Sequence, residues 1–204
     1  MGENGATPAM HGMINRALQG FLVETYGADI WAEIRSQADL GFVDFEAMLH
    51  YDDTQTLAVF QAAVDLLHQN PNALLEDLGT FLITHPPLDP LRRLLRFSGG
   101  SFAEFVLSLD ELADRGRMAM PDIEMPEITV TQIDAETYAL RAMWKMPGIG
   151  PILLGALRAM ADDYGALALV HLDGMDDGGE CLRIVVHDAH HAAGRSFVLA
   201  ETAP

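Results

Sequence analysis

The sequence predicts an α+β fold in which a helical N-terminal part is followed by an antiparallel sheet. Apolar residues recur every three to four positions up to about residue 120, and then largely every second position. Helices grouped before strands are typical of α+β domains and not of alternating βαβ units. With 204 residues, half of them hydrophobic, the chain is long enough to bury a substantial core.

The first half of the helical part is predicted from stop signals, caps and apolar stripes. A helix over residues 12–26 ends at Gly27, and a short helix follows over residues 30–37. Residues 42–51 are expected to be irregular or to form a single helical turn. Asp52 or Asp53 then caps a long helix, whose inner face is predicted to be Leu57, Phe60, Val64 and Leu67.

In the second half of the helical part, prolines mark where helices begin and end, and a capping signal marks the start of the last helix. Pro71 suits the first turn of a helix that His85-Pro86-Pro87 ends, and a brief helix follows Pro90. Ser101 and Glu104 have the spacing of a capping box. The helix that they begin is predicted to bury Phe102, Phe105, Val106, Leu109, Leu112 and Ala113.

The remaining chain is predicted to form the sheet and one helix. Residues 128–133 and 137–144 are expected to form a hairpin about Asp134-Ala135, and residues 151–164 a helix. One face of the second hairpin strand would carry Tyr138, Leu140, Ala142 and Trp144. Three further strands are predicted at residues 167–172, 182–187 and 196–199.

These elements are predicted to form one domain. Residues 1–9 are small and polar, and are expected to be a disordered extension. Residues 10–204 would form the domain, with a helical lobe over about 10–120 and a mixed lobe over about 121–204.

Charge and composition exclude several classes of function. Thirty acidic against twelve basic residues give a formal charge of −18, which repels nucleic acid and anionic membrane surfaces. The sequence has no apolar run of membrane-spanning length and no signal-peptide pattern, so a soluble, cytoplasmic protein is expected. The single cysteine, Cys181, excludes an internal disulfide.

Several segments resemble one family, in the right order, over about residues 10–187. They are MHGMINRALQGFLVETYG, YDDTQTLAVFQAAVDLL, LLEDLGTFLI, SFAEFVLSLDEL and PGIGPILLGAL. Together they are similar to the haem nitric oxide/oxygen binding (H-NOX) domains, the sensory domains of soluble guanylate cyclases. The resemblance implies a helical lobe, a mixed lobe with a four-stranded antiparallel sheet, and a sensory role.

The resemblance also implies where a haem site would lie. The family ligates haem iron through a histidine after the SLDEL-like segment, and holds the propionates with a Tyr-x-Ser-x-Arg motif. Counted without gaps, Ala113 stands at the histidine's place and Pro126 at that of a proline that presses on the haem. Ala142, Trp144 and Met146 stand at the places of the Tyr, Ser and Arg.

These replacements remove the chemistry that haem needs. A methyl group cannot ligate iron, and two propionates without charged partners oppose binding through their desolvation. The sequence therefore predicts no cofactor, although haem remains possible from the family resemblance. Trp144 and Met118, Met120, Met125 and Met146 are expected to fill the space instead.

The sequence leaves two functions open. One is a regulatory module that binds an apolar small molecule or a signalling protein such as a kinase or cyclase. The alternative is a haem-based nitric oxide or oxygen sensor with unconventional iron ligation, for which His50, His68, His85, Met118 or Met120 are candidate ligands. No catalytic motif is present, so an enzyme is not expected.

Two further clusters are interpreted as surface features. The His187-Asp188-Ala189-His190-His191 segment predicts a polar hairpin tip, with no metal site. Arg92, Arg93 and Arg96 are interpreted as a solvated helix face.

Overall fold

A computed structural model describes residues 9–195 of the chain. The predicted extension before residue 9 and the predicted strand over 196–199 lie outside the described residues. Ala9 itself belongs to the first strand, although the sequence assigns it to the extension.

The helical elements are those that the caps and apolar stripes predict, with shifted ends. A short 3₁₀ turn over Pro86–Leu88 precedes α5, and another over Ser108–Glu111 separates α6 from α7. The helices are α1 (Gly12–Tyr26), α2 (Ala28–Gln37), α3 (Asp53–Leu67), α4 (Pro71–Thr84), α5 (Asp89–Arg96), α6 (Phe102–Leu107), α7 (Leu112–Ala119) and α8 (Ile149–Tyr164).

Six strands form two antiparallel sheets in the described chain. The small sheet pairs β1 (Ala9–His11) with β2 (His50–Asp52), and neither strand is predicted from the sequence. The larger sheet has the order β3-β4-β6-β5, and its strands are β3 (Glu127–Gln132), β4 (Thr137–Met143), β5 (Leu167–Asp176) and β6 (Gly179–Asp188). The α+β prediction and its antiparallel hairpin are thus confirmed.

The chain divides into two compact units. One contains the described residues up to Leu74 together with Asp122–Glu124, and the other contains Leu75–Pro121 and the described residues from Met125 onward. The division falls inside α4, whereas the sequence places it near residue 120. The second unit takes in α5–α7 because their apolar side chains join one core with the sheet and α8, as Phe102, Phe105 and Val106 do with Leu140 and Ile184.

Two details of the helical prediction are wrong. The buried residues of α3 are Thr56, Val59, Ala62 and Ala63, whereas Leu57 is exposed. The helix that begins after Ser101 is not continuous, because the 3₁₀ turn interrupts it. Ser101 is confirmed as the N-cap, because its Oγ accepts from Glu104 N at 3.2 Å. Glu104 Oε2 accepts in return from Gly100 N at 2.8 Å, one residue before the N–H that a capping box uses.

Glu180, on β6, caps the N-terminus of α8 and fixes that helix to the sheet. Its Oε1 accepts from the backbone N–H of Gly148 at 2.6 Å and of Ile149 at 3.1 Å, and its Oε2 accepts from Gly150 N at 3.0 Å. These are donors that a helix cannot satisfy internally, and the positive end of the helix dipole favours the carboxylate.

Replacing Glu180 with alanine is expected to lower the free energy of unfolding by about 1–3 kcal/mol, since part-buried amide donors lose their acceptor. Chemical denaturation measures the loss, and hydrogen exchange at Ile149 and Gly150 should accelerate. Glu33→Ala, an exposed glutamate on α2, is the control and should change stability by no more than about 0.5 kcal/mol. Equal losses in the two variants would contradict the capping role.

Candidate functional site

The positions that the resemblance marks as a haem site belong to the second unit, around one end of the β3–β4 hairpin. Ile128 pairs with Ala142, and Glu127 pairs with Met143. Pro126 immediately precedes β3 and Trp144 immediately follows β4, so both lie at this end of the antiparallel hairpin. Elements of the second unit thus bring Pro126, Ala142 and Trp144 together, and Met146 follows in the turn before α8.

Ala113 is buried on α7, with 7% of its surface exposed. Gly116 lies one turn further along the same face, and a Cβ added to it would come within 2.7 Å of Met125 Cγ. Met125, which is half-buried, therefore packs closely on α7 at Gly116, as a space-filling methionine is expected to do. Met118 and Met120 do not fill space in this way, since they are 79% and 38% exposed. That part of the prediction is wrong.

The side chains of the three marked positions on and after β4, Ala142, Trp144 and Met146, are apolar except for the indole nitrogen of Trp144. Ala142 is 1% exposed within the core, while Trp144 is half-buried and packs against the same core. The Trp144 Nε1 atom is buried and has no hydrogen-bond partner within residues 9–195. Met146 is half-buried. An indole N–H donor is thus the polar group that these hairpin positions offer.

Tyr138 and Arg141 of β4 cannot replace the Tyr and Arg of the family's Tyr-x-Ser-x-Arg motif through a shifted alignment. Tyr138 is buried in the core, whereas Arg141 points to the opposite face and packs over Gly179. Their spacing of three separates them across the strand, as the alternation of β-strand side chains requires.

The arginines of α5 form the most strongly ionic buried cluster that the described chain contains, and the prediction of a solvated face is wrong for two of them. The Arg92 side chain is 5% exposed and the Arg96 side chain 14%. Both form ion pairs with Asp163 near the end of α8, Arg92 Nη1 with Oδ1 at 2.8 Å and Arg96 Nε with Oδ2 at 3.2 Å. Arg92 Nε also donates to Asp89 at 2.8 Å, a contact that holds the pKa of Asp89 below its ordinary value.

Tyr164 extends this cluster to the loop before α6. The Arg96 guanidinium carbon lies 3.4 Å from the centre of the Tyr164 ring, and the Tyr164 hydroxyl donates to Gly99 O at 3.0 Å. Burial raises the pKa of Tyr164 to about 12. The phenol is a hydrogen-bond donor to the backbone at this point.

The remaining polar candidates lie at the surface. His187 is exposed within β6, whereas His190 and His191 are exposed after its end, where Asp188 Oδ1 accepts from His190 N at 2.9 Å. Within residues 9–195, no three His, Cys, Asp or Glu side chains are grouped as a metal site. Cys181 is a half-buried free thiol. None of the helices in this part of the chain has the length and apolarity to cross a membrane.

Several known proteins are similar to this chain in sequence. It is 24% identical to the soluble guanylate cyclase gcy-37 of Caenorhabditis elegans, over 74% of this chain and 22% of the cyclase. It is 20% identical to soluble guanylate cyclase 89Da of Drosophila melanogaster, over 78% of this chain and 24% of that protein. The chain thus spans about a quarter of the length of these relatives.

Solved structures share the fold. A mutant of an H-NOX protein from S. oneidensis, solved in the Fe(II) ligation state, superposes with a TM-score of 0.76 at 16% identity, over 88% of this chain and 97% of that one. The Fe(II) unliganded H-NOX protein from K. algicida gives the same TM-score, identity and coverage. The family model described as Haem-NO-binding matches residues 11–171, so the chain belongs to the Haem-NO-binding (H-NOX) family.

Proposed function

We propose that this protein is an H-NOX regulatory module that binds a ligand or partner protein and no longer binds haem through a histidine. The observation that carries the proposal is the set of side chains at the positions where the family resemblance implies a haem site. A buried alanine stands at the iron ligand's place, and alanine, tryptophan and methionine stand at the places of the propionate partners.

The residues present do not fit haem. Haem iron requires an imidazole, thiolate, thioether or phenolate donor, and Ala113 has none. Two propionates require charge-assisted partners, whereas Ala142, Trp144 and Met146 offer one neutral indole N–H. Met125 packed against Gly116 occupies room on the Ala113 face of α7. The absence of an iron donor at Ala113 and of a cation at Ala142, Trp144 and Met146 each oppose haem binding independently.

One observation favours the alternative, a haem sensor with unconventional ligation. The buried Trp144 Nε1 lacks an acceptor within the described residues, and a propionate oxygen could accept a hydrogen bond from it. A single neutral hydrogen bond contributes only about 0.5–1.5 kcal/mol, far less than the desolvation cost of two carboxylates. We therefore prefer the regulatory module without haem.

The test is expression with a haem precursor, beside the H-NOX protein from S. oneidensis as a positive control. The purified chain is expected to have no stoichiometric Soret band, and Ala113→His is expected not to create one, because the propionate partners remain absent. A one-to-one haem complex of the wild-type chain with a defined axial ligand would refute the proposal and establish the alternative. Stoichiometric haem in Ala113→His alone would show that the rest of the site was kept.

The relatives indicate the class of partner that such a module would regulate. The matched curated relatives are soluble guanylate cyclases, in which the matched region is about a quarter of the protein. We infer that the regulated partner here is a signalling protein, such as a cyclase or a kinase.

A further inference from the structure

A surface pocket of about 380 Å³ lies at the end of α2, in the compact unit formed mainly by the described residues up to Leu74. It is lined by Arg35, Ser36 and residues 39–43. Its volume falls at the lower end of the range of about 300–1,000 Å³ that small-molecule sites occupy. The positions marked as a haem site belong to the other unit, so a ligand in this pocket would be additional to any ligand at those positions.

Asp39, at the edge of the pocket, occupies a backbone position that usually belongs to glycine. Leu40 N donates to Arg35 O at 3.2 Å. Asp39 N donates to Ser36 O at the same distance, and the two bonds together have the pattern of a Schellman motif. Asp39 stands at the left-handed position of that motif, with a φ of 52°. A residue with a Cβ is strained there, so the chain keeps a carboxylate beside the pocket at a cost in backbone strain.

Arg35 and Asp39 carry opposite charges but do not neutralise each other. Residues four apart on a regular helix lie on one face and can form an ion pair. Here the left-handed backbone at Asp39 ends the helix, and neither side chain has a hydrogen-bond or ion-pair partner among residues 9–195. By contrast, Arg158 and Arg183 each pair with a carboxylate. The pocket therefore offers a guanidinium and a carboxylate that are both available to a ligand.

The rest of the pocket is largely apolar, and its backbone is held in place. Leu40 and Phe42 are half-buried. The Phe42 ring packs edge-on against Phe45, with ring centres 5.0 Å apart. Trp31 Nε1 donates to Val43 O at 3.3 Å, which fixes the end of the turn. The pocket is thus preformed, so binding does not have to order it.

The charge of the whole chain narrows the class of ligand. A formal charge of −18 repels ligands with a net negative charge, although Arg35 could pair with one. A simple cation would pair with Asp39 and leave Arg35 without a partner. A small molecule that carries both charges satisfies both side chains, and it is not repelled because its net charge is zero.

We propose that this pocket binds a free α-amino acid with an apolar side chain. The carboxylate of the ligand pairs with the Arg35 guanidinium, which suits a carboxylate because its N–H groups form a planar fork. The ammonium group pairs with Asp39, and the apolar side chain packs on Leu40 and Phe42. Binding here involves none of the positions marked for haem, so it goes beyond the proposed function and its test does not depend on haem.

The test is an NMR titration of the ¹⁵N-labelled full chain with L-leucine. Leucine is expected to shift the amide signals of residues 35–43 in a saturable manner, with a dissociation constant of about 1 mM or below. N-acetyl-L-leucine lacks the ammonium group and L-leucinamide lacks the carboxylate, so each should bind at least about tenfold more weakly. Glycine, which has no apolar side chain, should also bind more weakly than leucine.

Two substitutions remove one charge each from the pocket. Arg35→Gln removes the cation, and Asp39→Asn removes the anion while asparagine tolerates the left-handed backbone. Each is expected to weaken leucine binding by at least about tenfold. The matched controls are Arg117→Gln and Asp114→Asn, which remove the same charges from an exposed pair on α7 and should change leucine binding by less than about twofold.

Three outcomes would overturn the proposal. These are the absence of saturable shifts at residues 35–43, binding of N-acetyl-L-leucine or L-leucinamide as tight as that of leucine, and equal weakening by the pocket variants and the α7 controls. Circular dichroism verifies that the variants fold. The comparison of leucine with its two analogues uses the wild-type chain, so it decides the proposal even if a variant does not fold.

Discussion

Replacing Asp163 with alanine is expected to lower the free energy of unfolding by about 3 kcal/mol or more, since removal of one member of a buried ion pair leaves an uncompensated charge. The Arg92 and Asp163 side chains are 5% and 3% exposed. Asp89 remains as a second partner for Arg92, which places the loss toward the lower end of the usual range. Urea denaturation with a two-state fit measures it.

Two controls separate this effect from the loss of any carboxylate. Asp114→Ala removes an aspartate that also pairs with an arginine, Arg117, but is 76% exposed, and its loss should stay below about 1 kcal/mol. The double variant Arg92→Met/Asp163→Leu replaces the pair with apolar groups and should be more stable than Asp163→Ala. If Asp163→Ala costs no more than Asp114→Ala, the cluster does not hold α5.

The sheet is the part of the fold that local sequence predicts well. Strict alternation places Tyr138, Leu140 and Ala142 on the buried face of β4, and their exposures of 1–3% agree. Asp134 identifies the turn, where its side chain accepts from Glu136 N and Thr137 N at 2.9 Å each. The alternation of side chains along a strand and the residue preferences of a turn depend on a few neighbouring residues. Both can therefore be predicted from a short stretch of sequence.

Which residues α3 buries, and that α5 buries Arg92, could not be predicted in this way. Thr56 is buried because its hydroxyl donates to Asn15, 41 residues earlier, at 2.7 Å. Arg92 is buried because its guanidinium donates a hydrogen bond to Asp163, 71 residues later. A stripe of large apolar residues indicates the buried face of a helix only when no distant residue pairs with a polar side chain on another face. The sequence of the helix alone does not reveal such a partner.

The same limit applies to the candidate site. Counting along the family's segments predicts Ala113, Pro126, Ala142, Trp144 and Met146 as its residues, but it does not indicate which methionines are exposed. Met125 fills space because Gly116 leaves room for it, while Met118 is exposed on the same helix as Ala113. Side-chain packing is decided by the neighbours in space, and a sequence specifies only the neighbours along the chain.

Replacing Gly155 with alanine is expected to destabilise the second unit by about 3 kcal/mol, the upper end of what overpacking usually costs. Helix α8 approaches α4 so closely that a Cβ on Gly155 would lie 1.9 Å from the backbone oxygen of Glu76. The reciprocal glycine, Gly79, faces Ile152 O in the same way, at 2.0 Å. A backbone oxygen cannot rotate aside as a side chain can, so the helices must separate or the variant must unfold.

Gly20→Ala is the matched control, because Gly20 lies within α1 and a Cβ there meets nothing within 4 Å. Alanine in a helix interior is favoured over glycine by about 1 kcal/mol, so this variant should be slightly more stable than the wild type. The same substitution is thus predicted to have opposite signs at two helical glycines. A Gly155→Ala variant that is as stable as the wild type or, like Gly20→Ala, more stable would mean that α4 and α8 do not cross in close contact at Gly79 and Gly155.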